Sequence, residues 1–265
     1  MRRNNLFWGI VIIIAGILLL LNQLGLIPGN FWGIFWPLIL IALGLWFLFG
    51  TTIFRQAAKQ ENLTVPLEGA SEAEIELDHG AGRLRVSGLS GGADLLNGSF
   101  YGGAEQALTR QGGRAYLVLK APFERSWFFP PMGRPDTLDW TLNINQDIPL
   151  KLILKTGASE SVLDLSNLKV TDLEIETGAS SNQVTMPANA GFTRASIHAG
   201  AASIKVRLPE GVAGRIRLQG ALTGNNIDTR RFPPSAGGYE TPGFDSAANR
   251  VEIAIEAGVG SIDVR

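Results

Sequence analysis

Leu173-Glu174-Ile175-Glu176-Thr177-Gly178-Ala179 alternates apolar and polar residues and runs into a Gly-Ala pair. Period-two alternation marks a strand with one face turned inward. The pattern recurs at Ile75–Ala81, Leu152–Ala158, Ala195–Ala201 and Ile253–Val259. With each glycine as position zero, position −5 is Ile75, Leu152, Leu173, Ala195 and Ile253. Position −3 is Leu77, Leu154, Ile175, Ile197 and Ile255, and position +6 is Val86, Leu163, Val184, Val206 and Val264. All of these are apolar, so each repeat reads as strand, tight glycine turn, strand. Gly80, Gly157, Gly178, Gly200 and Gly258 are the predicted turn glycines, because glycine adopts positive φ and lets backbones stack closely.

The intervals decide the architecture. Gly157 to Gly178 is 21 residues, Gly178 to Gly200 is 22, and Gly200 to Gly220 is 20; Gly80 to Gly102 is also 22, as a degenerate copy. Such regularity predicts an all-β domain over 56–265, a β-solenoid-like repeat whose coils bury their apolar rows only by stacking. An irregular β-sandwich is the alternative. Residues 121–150 and 228–249 interrupt the period and are rich in Pro, Gly and aromatics, as irregular or functional loops are. Trp127, Phe128, Phe129 and Met132, in the first insertion, form the candidate interaction loop, because adjacent aromatics have little room inside a coil. Folding back as a cap over the first coils is the competing reading.

Residues 4–54 contain no acid or base, whereas the rest of the chain holds all 24 Asp and Glu and all but two of the 23 Lys and Arg. An ordinary soluble domain is excluded for that stretch. It divides at Ile27-Pro28-Gly29-Asn30, a turn cluster. Each piece, 6–26 and 31–50, matches the ~20 residues a helix needs to cross ~30 Å of hydrocarbon. The predicted domain 1–55 is therefore a two-helix transmembrane hairpin. A cleaved leader is the weaker reading, because no small-residue cleavage site closes the first run. Arg2 and Arg3 precede the hairpin, Arg55 and Lys59 follow it, and the connecting turn has no basic residue. The positive-inside rule then places both termini, and the β domain, on the cytoplasmic side of a bacterial cytoplasmic membrane.

The chain has no cysteine and two histidines. His79 falls at −1 and His198 at −2, in different rows, so no metal ligand pair is predicted. Position −2 reads Asp78, Lys155, Glu176, His198 and Glu256, an exposed mixed-charge row. Gly88–Gly92 lacks the following helix that would present amides to a phosphate. Ser159, Ser161, Ser180 and Ser181 have no histidine placed as a base. The reading is non-enzymatic, with no catalytic, cofactor-binding or metal residues and no cofactor. A sequence pI near 6.2 without a Lys/Arg cluster gives no footprint for nucleic acid. The expected partners are the lipid bilayer and another membrane protein, or a second copy of the chain.

The N-terminal Arg2-Arg3-Asn4-Asn5-Leu6-Phe7-Trp8-Gly9-Ile10 with its hairpin resembles the transmembrane region of LiaI/LiaF-type bacterial membrane proteins. Trp140 to Leu150, Gly157-Ala158-Ser159-Glu160, Leu163–Leu168, Leu173–Ser180, Leu208-Pro209-Glu210-Gly211 and Gly258–Val264 resemble the toast-rack or LiaF-like β domain, related also to adhesin solenoids. The resemblance implies a cell-envelope role: LiaF-like proteins are associated with the response to cell-wall-active antibiotics, as membrane-bound negative regulators of a sensor histidine kinase. One hairpin stands here where some such regulators have four helices. An adhesin-like or self-assembling structural protein is the alternative, since the chain ends inside an apparent strand at Val264-Arg265.

Overall fold

The computed structural model describes residues 60–122 and 138–265, together with Trp36 and Leu40, both helical. The chain divides into Met1–Ala57 and Ala58–Arg265. The predicted hairpin, 6–26 and 31–50, lies outside the described residues apart from Trp36 and Leu40. Among the described residues no helix is long and apolar enough to cross a membrane.

Ala58–Arg265 is all-β and forms one large mixed sheet. Its strands are β1 (Gln60–Pro66), β2 (Glu72–Leu89), β3 (Asp94–Tyr101), β4 (Glu105–Gln111), β5 (Arg114–Lys120), β6 (Asp139–Asn145) and β7 (Pro149–Asp164). There follow β8 (Lys169–Thr185), β9 (Phe192–Arg207), β10 (Ala213–Ile227), β11 (Pro234–Ser235), β12 (Gly238–Glu240) and β13 (Arg250–Val264). The repeats are the long strands β2, β7, β8, β9 and β13, which lie side by side in parallel. All fifteen apolar positions of rows −5, −3 and +6 are buried.

The glycines do not make tight turns. Gly80, Gly157, Gly178, Gly200 and Gly258 lie inside continuous strands, and only Gly80 has a left-handed φ, 69°. What happens there is a change of phase. Side chains point inward at −5 and −3, positions 0 and +1 both face outward, and burial resumes at +4 and +6. Two consecutive outward residues turn the strand through a corner without ending it. Glycine is needed because the strands approach closely at the corner. A Cβ on Gly178 would lie 2.8 Å from the Gly157 carbonyl oxygen, one on Gly157 2.8 Å from that of Gly80, and one on Gly258 2.7 Å from that of Gly200.

The corner forks the sheet. The first half of β2 borders β5, and its second half borders β6. Both arms send apolar rows into one core, which includes Leu77, Ile175 and Ile197 from the first arm and Leu84, Val184 and Ile204 from the second. β6, β3 and β1 extend one arm; β5 and β4 extend the other.

Two expectations about order are overturned. Gly102, taken as a degenerate repeat, sits in a turn after β3, which pairs antiparallel with β1 and β6. Gly220 does not stack on Gly200, because β13 lies between β9 and β10 and Gly220 sits opposite Ala257. Thus β13 is interior and β10 takes the edge. The apparent open end at Val264 is hydrogen-bonded on both flanks, Asp228 donating to Val264 and Leu208 to Arg265. Burial explains the choice. The inward positions of β13 are Val251, Ile253, Ile255, Ala257, Ile262 and Val264, whereas the second half of β10 offers Thr223 and Asn225 opposite Gly260 and Ile262. The more apolar strand occupies the place with neighbours on both sides.

Candidate functional site

The corner glycines leave an open groove of about 870 Å³ along the outside of the sheet. Its rim is the −2 row, whose order in space is Asp78, Lys155, Glu176, His198, Glu256 and then Gln219 of β10. Lys155 and His198 separate the acids Asp78, Glu176 and Glu256 along it, so no two carboxylates of the row are adjacent. Lys155 Nζ donates to Glu76 Oε1 at 3.0 Å, which raises its pKa. His198 Nδ1 lies 3.3 Å from Glu256 Oε2, and its Nε2 is 3.0 Å from Ser196 Oγ. Exposed pairs of this kind contribute little to stability, because water screens them and holding both side chains costs entropy. Among the described residues, no group of three His, Asp or Glu is placed to hold a metal ion.

Inside the corner runs a buried polar seam that the sequence pattern left unmarked. Thr156 Oγ1 donates to Thr177 Oγ1 at 2.9 Å, and Asn182 Nδ2 donates to Ser180 Oγ at 2.7 Å. Ser159 and Ser161 lie there as well, the two hydroxyls 3.4 Å apart. The serines considered as nucleophiles therefore serve the interior of the corner or its flank, and neither histidine reaches them.

His79 closes this seam at the β6 side and is fully buried. Its Nε2 is 2.8 Å from the Leu138 carbonyl oxygen, while Nδ1 has no partner. The ring meets Trp140 edge-on at 5.0 Å, and Trp140 in turn meets Phe100 at 5.1 Å. Loss of hydration pushes the imidazole pKa below its ordinary value, against the smaller opposing pull of the Leu138 carbonyl. The unfolded chain therefore takes up this proton at a higher pH than the folded one. Stability is full above the ordinary value of 6.5 and falls as pH drops through it towards the lowered folded value. The expected slope attributable to His79 is at most about 1.4 kcal/mol per pH unit. Urea melts between pH 7.5 and 5 should show the decline, and His79→Gln should remove this share of it; an equal slope in both proteins would sink the assignment.

The insertion 228–249 is a fitted cover and not a free loop. Phe232 and Phe244 are buried. The Arg231 guanidinium donates to the Leu208 carbonyl at 2.7 Å, to the Val212 carbonyl at 3.0 Å and to that of Pro209. β12 pairs antiparallel with Arg215 and Ile216 of β10. Arg215 stacks over Phe244 at 4.1 Å and holds Asp245 at 3.0 Å. The cover thus closes the first half of β10 and leaves the second half bare. The other insertion's Trp127, Phe128, Phe129 and Met132 lie outside the described residues.

This arrangement, a β domain of corner-bent parallel strands following a 51-residue uncharged stretch, defines a membrane-anchored β-domain protein. Residues 54–207 match the family model described as N-terminal domain of toast_rack, DUF2154, and residues 6–48 match the LiaI-LiaF-like transmembrane region. The chain belongs to this toast-rack family and carries a LiaI-LiaF-like membrane region. Among solved structures it is similar to a candidate cell adhesion protein from Clostridium sporogenes, with TM-score 0.69 and 24% identity over 78% of this chain and 98% of that one. A candidate adhesin from Bacteroides fragilis aligns over 78% of this chain and 97% of its own, at TM-score 0.29 and 7% identity. No curated protein matches the chain.

Proposed function

We propose that the protein is a non-enzymatic, membrane-anchored interaction module of the bacterial cell-envelope stress response, with its solenoid-like domain binding another membrane protein such as a sensor kinase. The observation that carries this reading is the pairing of a LiaI-LiaF-like membrane region with a toast-rack domain in one chain. The described surface supports it: no two carboxylates of the groove rim are adjacent, and the corner hydroxyls of Thr156, Thr177, Ser159 and Ser161 are held among themselves. Arg2, Arg3, Arg55 and Lys59 favour a two-pass anchor with both termini, and the β domain, on the cytoplasmic side. The aromatic run Trp127-Phe128-Phe129-Pro130-Pro131-Met132 is the proposed contact, since aromatic and Met anchors concentrate binding energy.

The test is co-purification of the full chain from membranes of cells treated with a cell-wall-active antibiotic. A sensor kinase should be retained, and Trp127→Ala with Phe128→Ala should abolish retention while the melting temperature stays unchanged. Protease added to spheroplasts should leave residues 56–265 intact. Digestion from outside, or a destabilised double variant that retains its partner, would overturn this reading.

A further inference from the structure

We infer that the bare edge of β10 is where two copies of this chain meet, strand against strand, about a two-fold axis. After Ile216, β10 is paired only with β13 among the described residues, so its outer backbone groups from Leu218 to Ile227 face solvent. Natural sheet edges are guarded by charge, proline or a covering segment, because an open edge templates pairing. The other edges here follow that rule. β1 carries Glu61 and Pro66, β4 carries Glu105 and Arg110, and β12 covers the first half of β10. The stretch Leu218–Ile227, LQGALTGNNI, holds neither charge nor proline. At its centre Leu222 is 74% exposed, beside its β13 partner Val259, 52% exposed.

The occupant is argued from charge and length. Arg217 precedes the bare stretch and Asp228 follows it, both exposed. An antiparallel copy therefore brings the basic end of one strand to the acidic end of the other, twice, with uncharged residues between. Arg217 already holds Glu252 at 2.6 Å while 54% of its side chain remains exposed to solvent. Gly220 and Leu222 pair with Ala257 and Val259, so Ala221 and Leu222 are the two consecutive outward residues of the β10 corner. The faces of two antiparallel copies therefore match where the corners coincide, Ala221 of each opposite Leu222 of the other about a two-fold axis normal to the sheet. Arg217 then lies opposite Asn226, two residues from Asp228, and each copy leaves the pairing where the other's β12 begins at Ile216. Thr223 and Asn225 in the core-facing row stop the apolar core from continuing across, so contact is through backbone bonds and the Leu222–Val259 patch. Anchoring both copies in one bilayer raises their effective concentration. This inference is independent of the kinase reading and stands or falls apart from it.

The absence of cysteine makes the test direct. Opposed residues of an antiparallel pair have Cα atoms about 4.5–5.5 Å apart, within the range a disulfide spans. Ala221→Cys and Leu222→Cys, made singly in the full chain in native membranes, should yield a disulfide dimer at one position or both on mild oxidation, and chains carrying one should crosslink to chains carrying the other. Ala107→Cys on the β4 edge should not. Adding Thr223→Lys to Leu222→Cys, or Asn225→Lys to either cysteine variant, should abolish the crosslink with the circular dichroism unchanged. Failure of both cysteines to crosslink while they remain open to maleimide overturns the inference, whether or not a dimer forms through the hairpin. Mixed crosslinks between Leu222→Cys and Ala107→Cys chains overturn it in favour of head-to-tail assembly, and crosslinking of Leu222→Cys to a different protein overturns it in favour of a foreign strand.

Discussion

Gly260→Ala should be among the most damaging single-methyl changes in the β domain, lowering its stability by about 3 kcal/mol or more. Gly260 has φ 145°, and a Cβ there would lie 1.8 Å from the Ala202 carbonyl oxygen. Backbone strain of about 1–3 kcal/mol and overpacking of about 1–3 kcal/mol then act together. Two other glycines separate these causes. Gly80→Ala meets nothing within 4 Å and feels only its φ of 69°, a cost of about 1–2 kcal/mol. Gly178→Ala is outside the left-handed region and feels only the Gly157 oxygen at 2.8 Å. Urea midpoints of Ala58–Arg265 should therefore rank Gly260→Ala lowest. Equal midpoints for all three would mean that the corner relaxes freely and that close approach is not what selects glycine.

Phe232→Ala should cost about 3–5 kcal/mol, as truncation of a fully buried aromatic ring does. Phe232 is 0% exposed, and its ring lies 5.1 Å from the Arg231 guanidinium that ties three carbonyls of 208–212. Removing it empties the space under the cover of β10 and loosens the Arg231 clasp. A thermal melt of the variant should shift as one transition. A loss confined to fast proteolysis within 228–249, with the main melt unmoved, would show the cover to be an appendage of the core.

These predictions depend on features of differing legibility in the sequence. The inward rows were readable because burial leaves a period-two trace, and Ile75, Leu154 and Val206 are among the fifteen positions found buried. The corner was readable as well: nine residues separate −3 from +6, an odd number, so one change of phase between them was required. What forced glycine there was not readable, because a turn and a close approach select the same residue. Strand order was also hidden. The interval from Gly200 to Gly220 imitates a further repeat, and periodicity reports which face a residue takes, not which strand lies beside it. The clue lay in Thr223 and Asn225, polar at positions that β9 fills with Ala202 and Ile204. The −2 row was readable as a mixed-charge face. Its alternation followed only from the strand order. The seam repeats too, Thr156 and Thr177 at −1 and Ser161 and Asn182 at +4, but polar side chains at inward positions leave no apolar mark to read.

The interior place of β13 bears on synthesis. β10 leaves the ribosome before β13 does, yet its parallel neighbour is β13, and so is the second neighbour of β9. Until Arg250–Val264 has emerged, β9 presents an open flank with Ile197 and Ile204 beside it, and β10 has no long strand to join. The nascent domain thus holds two unsatisfied edges until β13 inserts between them, a step set by loop closure from Phe192 to Arg250. A message cut short before Arg250 would yield a chain with every other repeat in place and its sheet split open, the kind of product that chaperones and proteases recognise.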